Sequence, residues 1–283
     1  MLVNSKDKIK TVRQAIWAGV EVLAHDIQSG HPEVLSECLK AMARFHTYSF
    51  GNVLLISTQQ PTATQVAGWR GWSELGRRIK QGEKGMLIFA PILSDPKAPA
   101  NTDSSEAAEL QQELLGFRQV RVWDVSQTEG EPVPANDFFT KLDVSEVLAK
   151  LTEFSEMQDF QIEYTDKIAP ARGTSYRGQI RLLNDMEEKE TVSILIRELA
   201  LQMLYEMQRR SYVTRHVVLR EARAVAFVVL SALGLETEAA ERIELYRDNT
   251  YLLAESLQVV QRTSAIILGA LSPEDVQSAQ AVK

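Results

Sequence analysis

Apolar residues recur three to four positions apart at Val12, Ile16, Val20 and Leu23, the spacing that places them on one face of a helix. A Ser29-Gly30-His31-Pro32 turn interrupts the pattern. It restarts near Glu33 as a second helix with Leu35, Leu39 and Met42 on its apolar face. The aromatic and polar cluster Phe45-His46-Thr47-Tyr48-Ser49-Phe50-Gly51-Asn52 marks a break before the apolar run Val53 to Ile56. A short helix through Trp69 to Leu75 leads into a Gly82-Glu83-Lys84-Gly85 turn and a strand from Met86 to Ala90. A second strand, Phe117 to Val125, alternates as a half-buried sheet strand does. The two strands are expected to pair across Ser94 to Glu113, a solvated excursion rich in Pro, Ala, Asp, Ser and Glu. Ser126 to Pro134 holds too many turn formers to be an element and marks a domain boundary.

The second half opens with a capped helix, Asp143 to Met157, then a strand at Phe160 to Tyr164 and a hairpin over Gly173 to Leu183. Long apolar helices follow over Val192 to Met207 and Val217 to Leu233, the latter stopped by Gly234. Further helices are expected over about Glu238 to Gln261 and at the C-terminus. This pattern predicts an α+β fold in two domains. Residues 1–135 form helices on a small, mainly antiparallel sheet, and residues 136–283 form a helix-rich domain with a short sheet at its start. With 283 residues and 45% hydrophobic content the chain can fill a core in each.

No run of eighteen apolar residues is present, and Met1 to Gln14 lacks the apolar stretch of a signal peptide, so a cytoplasmic protein without a membrane partner is expected. The single cysteine, Cys38, excludes an internal disulfide and any cysteine-rich zinc site; it reads as a small core residue. A net charge of −7 argues against coating of nucleic acid by the whole surface. The distribution is uneven, however. Val66 to Pro91 carries Arg70, Arg77, Arg78, Lys80 and Lys84 against only Glu74 and Glu83, a basic island in an acidic chain.

The strings Phe45 to Ile56, Pro61 to Trp69, Leu75 to Gly85 and Trp123-Asp124-Val125-Ser126-Gln127-Thr128-Glu129-Gly130 together resemble the N-terminal domain of ArdC-type antirestriction proteins. The resemblance covers roughly residues 5 to 135 and implies binding of single-stranded DNA. The residues are compatible with it, because single strands are held by positive grooves and by aromatic faces on which bases stack. Arg70, Arg77, Arg78, Lys80 and Lys84 are the phosphate candidates, Tyr48 is the stacking candidate, and Ser49 and Asn52 can add hydrogen bonds. Trp69 and Trp72, three apart on a short helix, share a face and read as core packing, as do Phe45 and Phe50.

In that family the C-terminal half resembles a zinc metallopeptidase of the ImmA/IrrE kind, whose His-Glu-x-x-His helix brings two imidazoles to one metal. The corresponding helix here reads Arg197-Glu198-Leu199-Ala200-Leu201, with Arg197 and Leu201 at the histidine positions. The third ligand position falls at Leu219 or Glu221, depending on register. The four histidines, His25, His31, His46 and His216, have no histidine partner four residues on. The domain therefore reads as a pseudoenzyme without catalytic residues, metal or cofactor. Glu198 is expected to pair with Arg197, Arg223 or another cation. The favoured function is single-stranded DNA binding of antirestriction type, in a plasmid or phage setting. The alternative is a protein-interaction module that engages a restriction enzyme or regulator directly.

Overall fold

The computed structural model describes residues 5–94, 114–133, 139–207, 213–235, 245 and 249–272, and side chains from residue 14 onward. The first periodic stretch folds as α1 (Ser5–Gln28) and the second as α2 (Glu33–Arg44). Val20, Leu23, Leu35, Leu39 and Met42 are buried on the faces their spacing predicts. Cys38 packs against this core, where burial pushes its thiol up to about 12. The apolar run after the break forms α3 (Phe50–Gln59), with Ser49 as its N-cap.

The two predicted strands do pair. β3 (Met86–Leu93) lies antiparallel to β4 (Leu114–Asp124) in a register from Met86 opposite Val122 to Leu93 opposite Leu114. β1 (Val66–Ala67) adds to the other side of β4, giving the order β1-β4-β3. Most of the excursion expected between β3 and β4, residues 95–113, lies outside the described residues. α4 (Trp69–Glu74) runs into β2 (Arg77–Ile79), which pairs antiparallel with β5 (Thr128–Gly130).

β5 corrects the reading of Ser126 to Pro134 as turn alone. The Asp124 carboxylate caps a 3-10 turn at Val125–Gln127 that feeds β4 directly into β5. A three-residue strand of Thr, Glu and Gly carries little strand propensity of its own. The cap and the pairing with β2 make it, and neither is visible as composition. The boundary near residue 135 falls within residues 134–138, outside the described residues.

In the second half, α5 (Val144–Met157) starts after Asp143, whose carboxylate accepts from the Ser145 hydroxyl at 3.1 Å and caps no backbone N–H. β7 (Gly173–Tyr176) and β8 (Gln179–Leu182) form the predicted hairpin, turning through Arg177 and Gly178 at φ 47° and 79°. β6 (Gln161–Tyr164) joins β8 in parallel. α6 (Glu188–Glu206) and α7 (Arg215–Ala232) follow, and Gly234 at φ 67° stops α7. The helix expected to end near Gln261 instead continues as α8 (Thr250–Leu271). Ala254, Leu257, Val260, Ile267 and Leu268 keep its buried stripe unbroken through that point.

The fold is α+β, with helices and, among the described residues, three small sheets. One apolar core runs through both halves: α2 packs on α7, and α8 reaches α1 and α3. Leu39, Leu199 and Val225 are fully buried in it, and each such side chain contributes about 1.5–3 kcal/mol. No described helix is long and apolar enough to cross a membrane.

Candidate nucleic-acid interface

The break at Phe45 to Asn52 folds inward. Phe45 and Phe50 are buried, as expected. Tyr48 stands edge-on to Phe45 with ring centroids 6.4 Å apart, and its hydroxyl donates to the Val66 carbonyl at 3.1 Å. Burial pushes the Tyr48 phenol up from its ordinary pKa. The Ser49 hydroxyl accepts from the Asn52 backbone N–H, at a long 3.5 Å. The Asn52 side chain donates to the Phe89 carbonyl at 2.9 Å and accepts from the Phe89 N–H at 3.0 Å. Gln59, further along α3, makes the same two-way bond with Leu87, each at 2.9 Å. These two amides cover the free edge of β3. Tyr48, Ser49 and Asn52 thus serve the fold.

The basic island divides into two groups. In the first, Arg77 donates through Nε to the Thr128 hydroxyl at 2.8 Å, through Nη2 to the Thr128 carbonyl at 3.0 Å, and through Nη1 to the Gly130 and Glu131 carbonyls. Arg78 pairs with Glu129 at 2.7 Å, and Lys80 donates to the Ser126 carbonyl at 2.7 Å. These three cations tie β2 to β5 and the turn before it. Arg77 is spent on that task, whereas Arg78 keeps 82% of its side chain in solvent and its surface pair is weak.

The second group is open. Arg70 lies exposed on α4 and Lys84 exposed in the turn before β3, and among the described residues neither side chain forms an ion pair. Beside Arg70, Trp69 is 62% exposed. This corrects the reading of the tryptophan pair as shared core. Trp72 is buried, with its indole N–H donating to the Trp123 carbonyl at 2.9 Å, but Trp69 sits a turn earlier at the open end of a six-residue helix. One turn of helix has room for one indole against the sheet.

A residue outside the island completes the surface. Alternation along β4 puts Phe117, Gln119, Arg121 and Trp123 on one face and Val120 and Val122 on the core face. Arg121 is exposed opposite Leu87 and donates to the Gly85 carbonyl at 2.8 Å. Gly85 itself lies on the Trp123 ring so closely that a Cβ would stand 2.6 Å from it, so no other residue fits there. Arg121 thereby holds the residue that follows Lys84 in the turn. Trp69 follows β1, whose Ala67 pairs with Trp123. Trp69 and Arg70 thus follow the strand paired with Trp123, and Lys84 precedes the glycine that lies on the Trp123 ring and whose carbonyl Arg121 holds. The alternation of β4 was the sequence signal for Arg121; Gly68 preceding Trp69 was the signal for a helix start and an open end.

On α6, Arg197 donates through Nε and Nη2 to Glu198 Oε1 at 3.0 and 2.7 Å. Glu198 is only 3% exposed, and Gly173 of β7 packs against it, where a Cβ would stand 3.2 Å from Glu198 Cγ. The expected ion pair is thus made with Arg197. Leu201 is core. On α7, Glu221 is fully buried and accepts from the Ser256 hydroxyl at 2.6 Å. Among the described residues, no three His, Cys, Asp or Glu side chains converge as a metal-binding group.

Residues 6–123 match the family described as the N-terminal domain of anti-restriction factor ArdC. An uncharacterized protein of Bacillus anthracis is 25% identical over 248 aligned residues, 74% of this chain. The chain spans 42% of the length of that curated relative. Two crystal structures of the antirestriction ArdC protein from plasmid R388 share the fold at 14% identity. The metal-free form has a TM-score of 0.51, covering 90% of this chain and 97% of that one, and the Mn(II)-bound form has 0.50, covering 92% and 98%. Residues 6–123 thus match the ArdC N-terminal domain family, and nine-tenths of the chain shares the fold of the R388 ArdC protein.

Proposed function

We propose that this chain is an antirestriction protein that binds single-stranded DNA over Trp69, Arg70, Lys84 and Arg121, and that its C-terminal half works without peptidase chemistry. The observation that carries the first part is the 62% exposed indole of Trp69 beside exposed cations in an otherwise acidic protein. An exposed ring offers a base a stacking face worth about 1–3 kcal/mol, and the cations meet the phosphates. The antirestriction role is supported by the family of residues 6–123 and by the R388 proteins.

The second part follows from donor chemistry. A guanidinium does not ligate a metal at neutral pH, and leucine has no donor atom, so Arg197 and Leu201 do not fit a divalent ion. Glu198 is engaged by Arg197. Fluorescence anisotropy with a labelled oligonucleotide tests the binding site: Trp69→Ala with Lys84→Glu weakens binding at low salt by tenfold or more, on the order of one lost stacking contact. No binding by the unaltered chain, or binding indifferent to both changes, sinks the reading. Stoichiometric zinc or manganese retained by the purified protein would overturn the non-catalytic assignment of the C-terminal half.

A further inference from the structure

An antiparallel sheet with one side on the core ordinarily turns a polar row to water. The β3–β4 pair does the reverse. Its core side holds Met86, Ile88 and Val122, all buried. The outer positions of β3 are Leu87, Phe89, Pro91 and Leu93, with no polar side chain among them. The register sets Leu87 opposite Arg121, Phe89 opposite Gln119 and Pro91 opposite Phe117, and beyond a bulge Leu93 lies opposite Leu114. This row is open to solvent. Leu93 is 47% and Leu114 56% exposed, Leu87 and Pro91 are exposed, and Phe89 and Phe117 are half-buried. Contiguous apolar surface left in water is the mark of a binding face.

Charge narrows what binds there. β3 has no ionisable residue, and β4 has two exposed cations, Arg118 and Arg121. The one carboxylate of the pair, Asp124, is buried and bonded to Thr64, Gln65 and Ser126. In a chain of net charge −7 these two strands thus present cations and apolar rings without an open carboxylate. A single strand of nucleic acid has the matching groups, phosphates and flat base faces. A second copy of this chain matches less well, because a two-fold contact of this face with itself brings arginines of like sign together. The row also runs into the surface already described: it ends at Trp123, which pairs with Ala67, two residues before Trp69. From Trp123 to Phe117 the strand rises by about 20 Å, room for several nucleotides beyond a base on Trp69.

We propose, on the reading that Trp69 binds a strand, that the outer face of β3–β4 is a stacking track for unpaired bases, with Phe117 and Phe89 as its rings and Arg121 on the phosphates, and that this track makes the site select single strands over duplex. Cations alone meet the phosphates of either form, so Arg70 and Lys84 give no such selectivity. In a duplex the base faces are stacked on one another and only edges and backbone are open, so a sheet bearing rings gains contact with a single strand alone. Gln119, exposed between Phe117 and Arg121 on this face, offers a donor and an acceptor to a base edge.

Anisotropy of the full chain with a labelled oligothymidylate of about twelve residues, competed by the same unlabelled strand or by its duplex with oligodeoxyadenylate, tests this. The single strand competes better than the duplex by about tenfold or more. Phe117→Ala weakens the single strand by about tenfold, the worth of one stacked base, and leaves duplex affinity unchanged, so the ratio collapses. Gln119→Glu, on an exposed side chain, puts a carboxylate in the track and moves the ratio the same way without lowering the melting temperature. Photocrosslinking needs no variant: an oligothymidylate carrying 4-thiothymidine forms adducts at Phe117 or Phe89 as well as at Trp69 of the unaltered chain. Adducts at Trp69 with none on β3 or β4, or a ratio that neither substitution moves, overturn the track and leave the Trp69 site standing. Absence of any strand binding overturns both. A concentration-dependent dimer that Gln119→Glu dissolves, with strand affinity unchanged, gives the face to a second copy and likewise overturns the proposal.

Discussion

The Gln261 side chain of α8 donates its amide N–H to the Tyr48 carbonyl at 3.0 Å, and the same nitrogen lies 3.3 Å from the carbonyls of Phe45 and His46. The segment after α2 leaves these carbonyls outside any helix or sheet, and burial obliges them to find a donor. The Tyr48 N–H supplies one to Phe45, and Gln261, more than two hundred positions away, serves the others. Gln261→Leu keeps the volume and removes the donor, so it should lower stability by about 1–3 kcal/mol in urea unfolding. An unchanged midpoint would mean that water satisfies the segment equally well.

Asn52 does for β3 what Gln261 does for that segment. Its two-way bond with Phe89 substitutes for a neighbouring strand. Asn52→Ala should therefore cost about 1–3 kcal/mol while leaving the affinity of the folded protein for single-stranded DNA unchanged. Loss of affinity at temperatures where the variant is fully folded would restore Asn52 to the binding surface.

Arg77 and Trp69 separate fold from function in the opposite way. Arg77→Ala strips donors from Thr128, Gly130 and Glu131, so the cost is about 1–3 kcal/mol of stability, read as a lower melting temperature. Trp69→Ala removes a mostly exposed ring and should shift stability by no more than about 0.5 kcal/mol while weakening strand binding. The converse pattern, a stable Arg77→Ala that no longer binds DNA, would return the interface to β2.

The contrast also marks what the sequence could reveal. Among the described residues periodicity located α1, α2, α5, α6, α7 and the β3–β4 pair, because a period of 3.6 or 2 reports which face is buried. The basic island was real as composition, but composition does not say which cations have carbonyls within reach. Arg77 and Lys80 are claimed by β5 and the turn before it, and β5 was itself invisible because a cap and a partner strand create it. Trp69 was hidden for a related reason. Three-residue spacing predicts a shared face only while a helix continues, and α4 begins at Trp69.

Asp124 connects the sheet to that turn and sets a pH dependence. Burial alone would raise its carboxyl pKa, but donors from Ser126, Thr64 and Gln65 together outweigh burial and hold it below the ordinary 3.8. The bonds run from 2.6 Å at the Ser126 hydroxyl to 3.1 Å at the Gln65 N–H. A carboxyl lowered by folding adds stability above its unfolded value and loses it as pH falls through the folded value. The stability gap between the unaltered chain and Asp124→Asn should thus be largest above 3.8 and close below it. Equal gaps across that range, measured by urea unfolding at each pH, would show that the carboxylate charge contributes nothing.

Arg197 and Glu198 offer the sharpest test of the C-terminal half. Glu198 is 3% exposed and Arg197 31%, so the carboxylate is buried while its partner keeps a third of its side chain in water. Removing a partner from a buried carboxylate costs more than the pair is worth, because the remaining charge is stranded in low dielectric. Arg197→Met should therefore destabilise by about 2–4 kcal/mol, less than for a fully buried pair because Arg197 is partly solvated. Adding Glu198→Leu should recover most of that loss, since two apolar residues of similar size can replace an ion pair at little net cost. Urea unfolding of the two single variants and the double closes the cycle. A single Arg197→Met as stable as the unaltered chain would mean that another group neutralises Glu198, and the structural role assigned to this pair would fall.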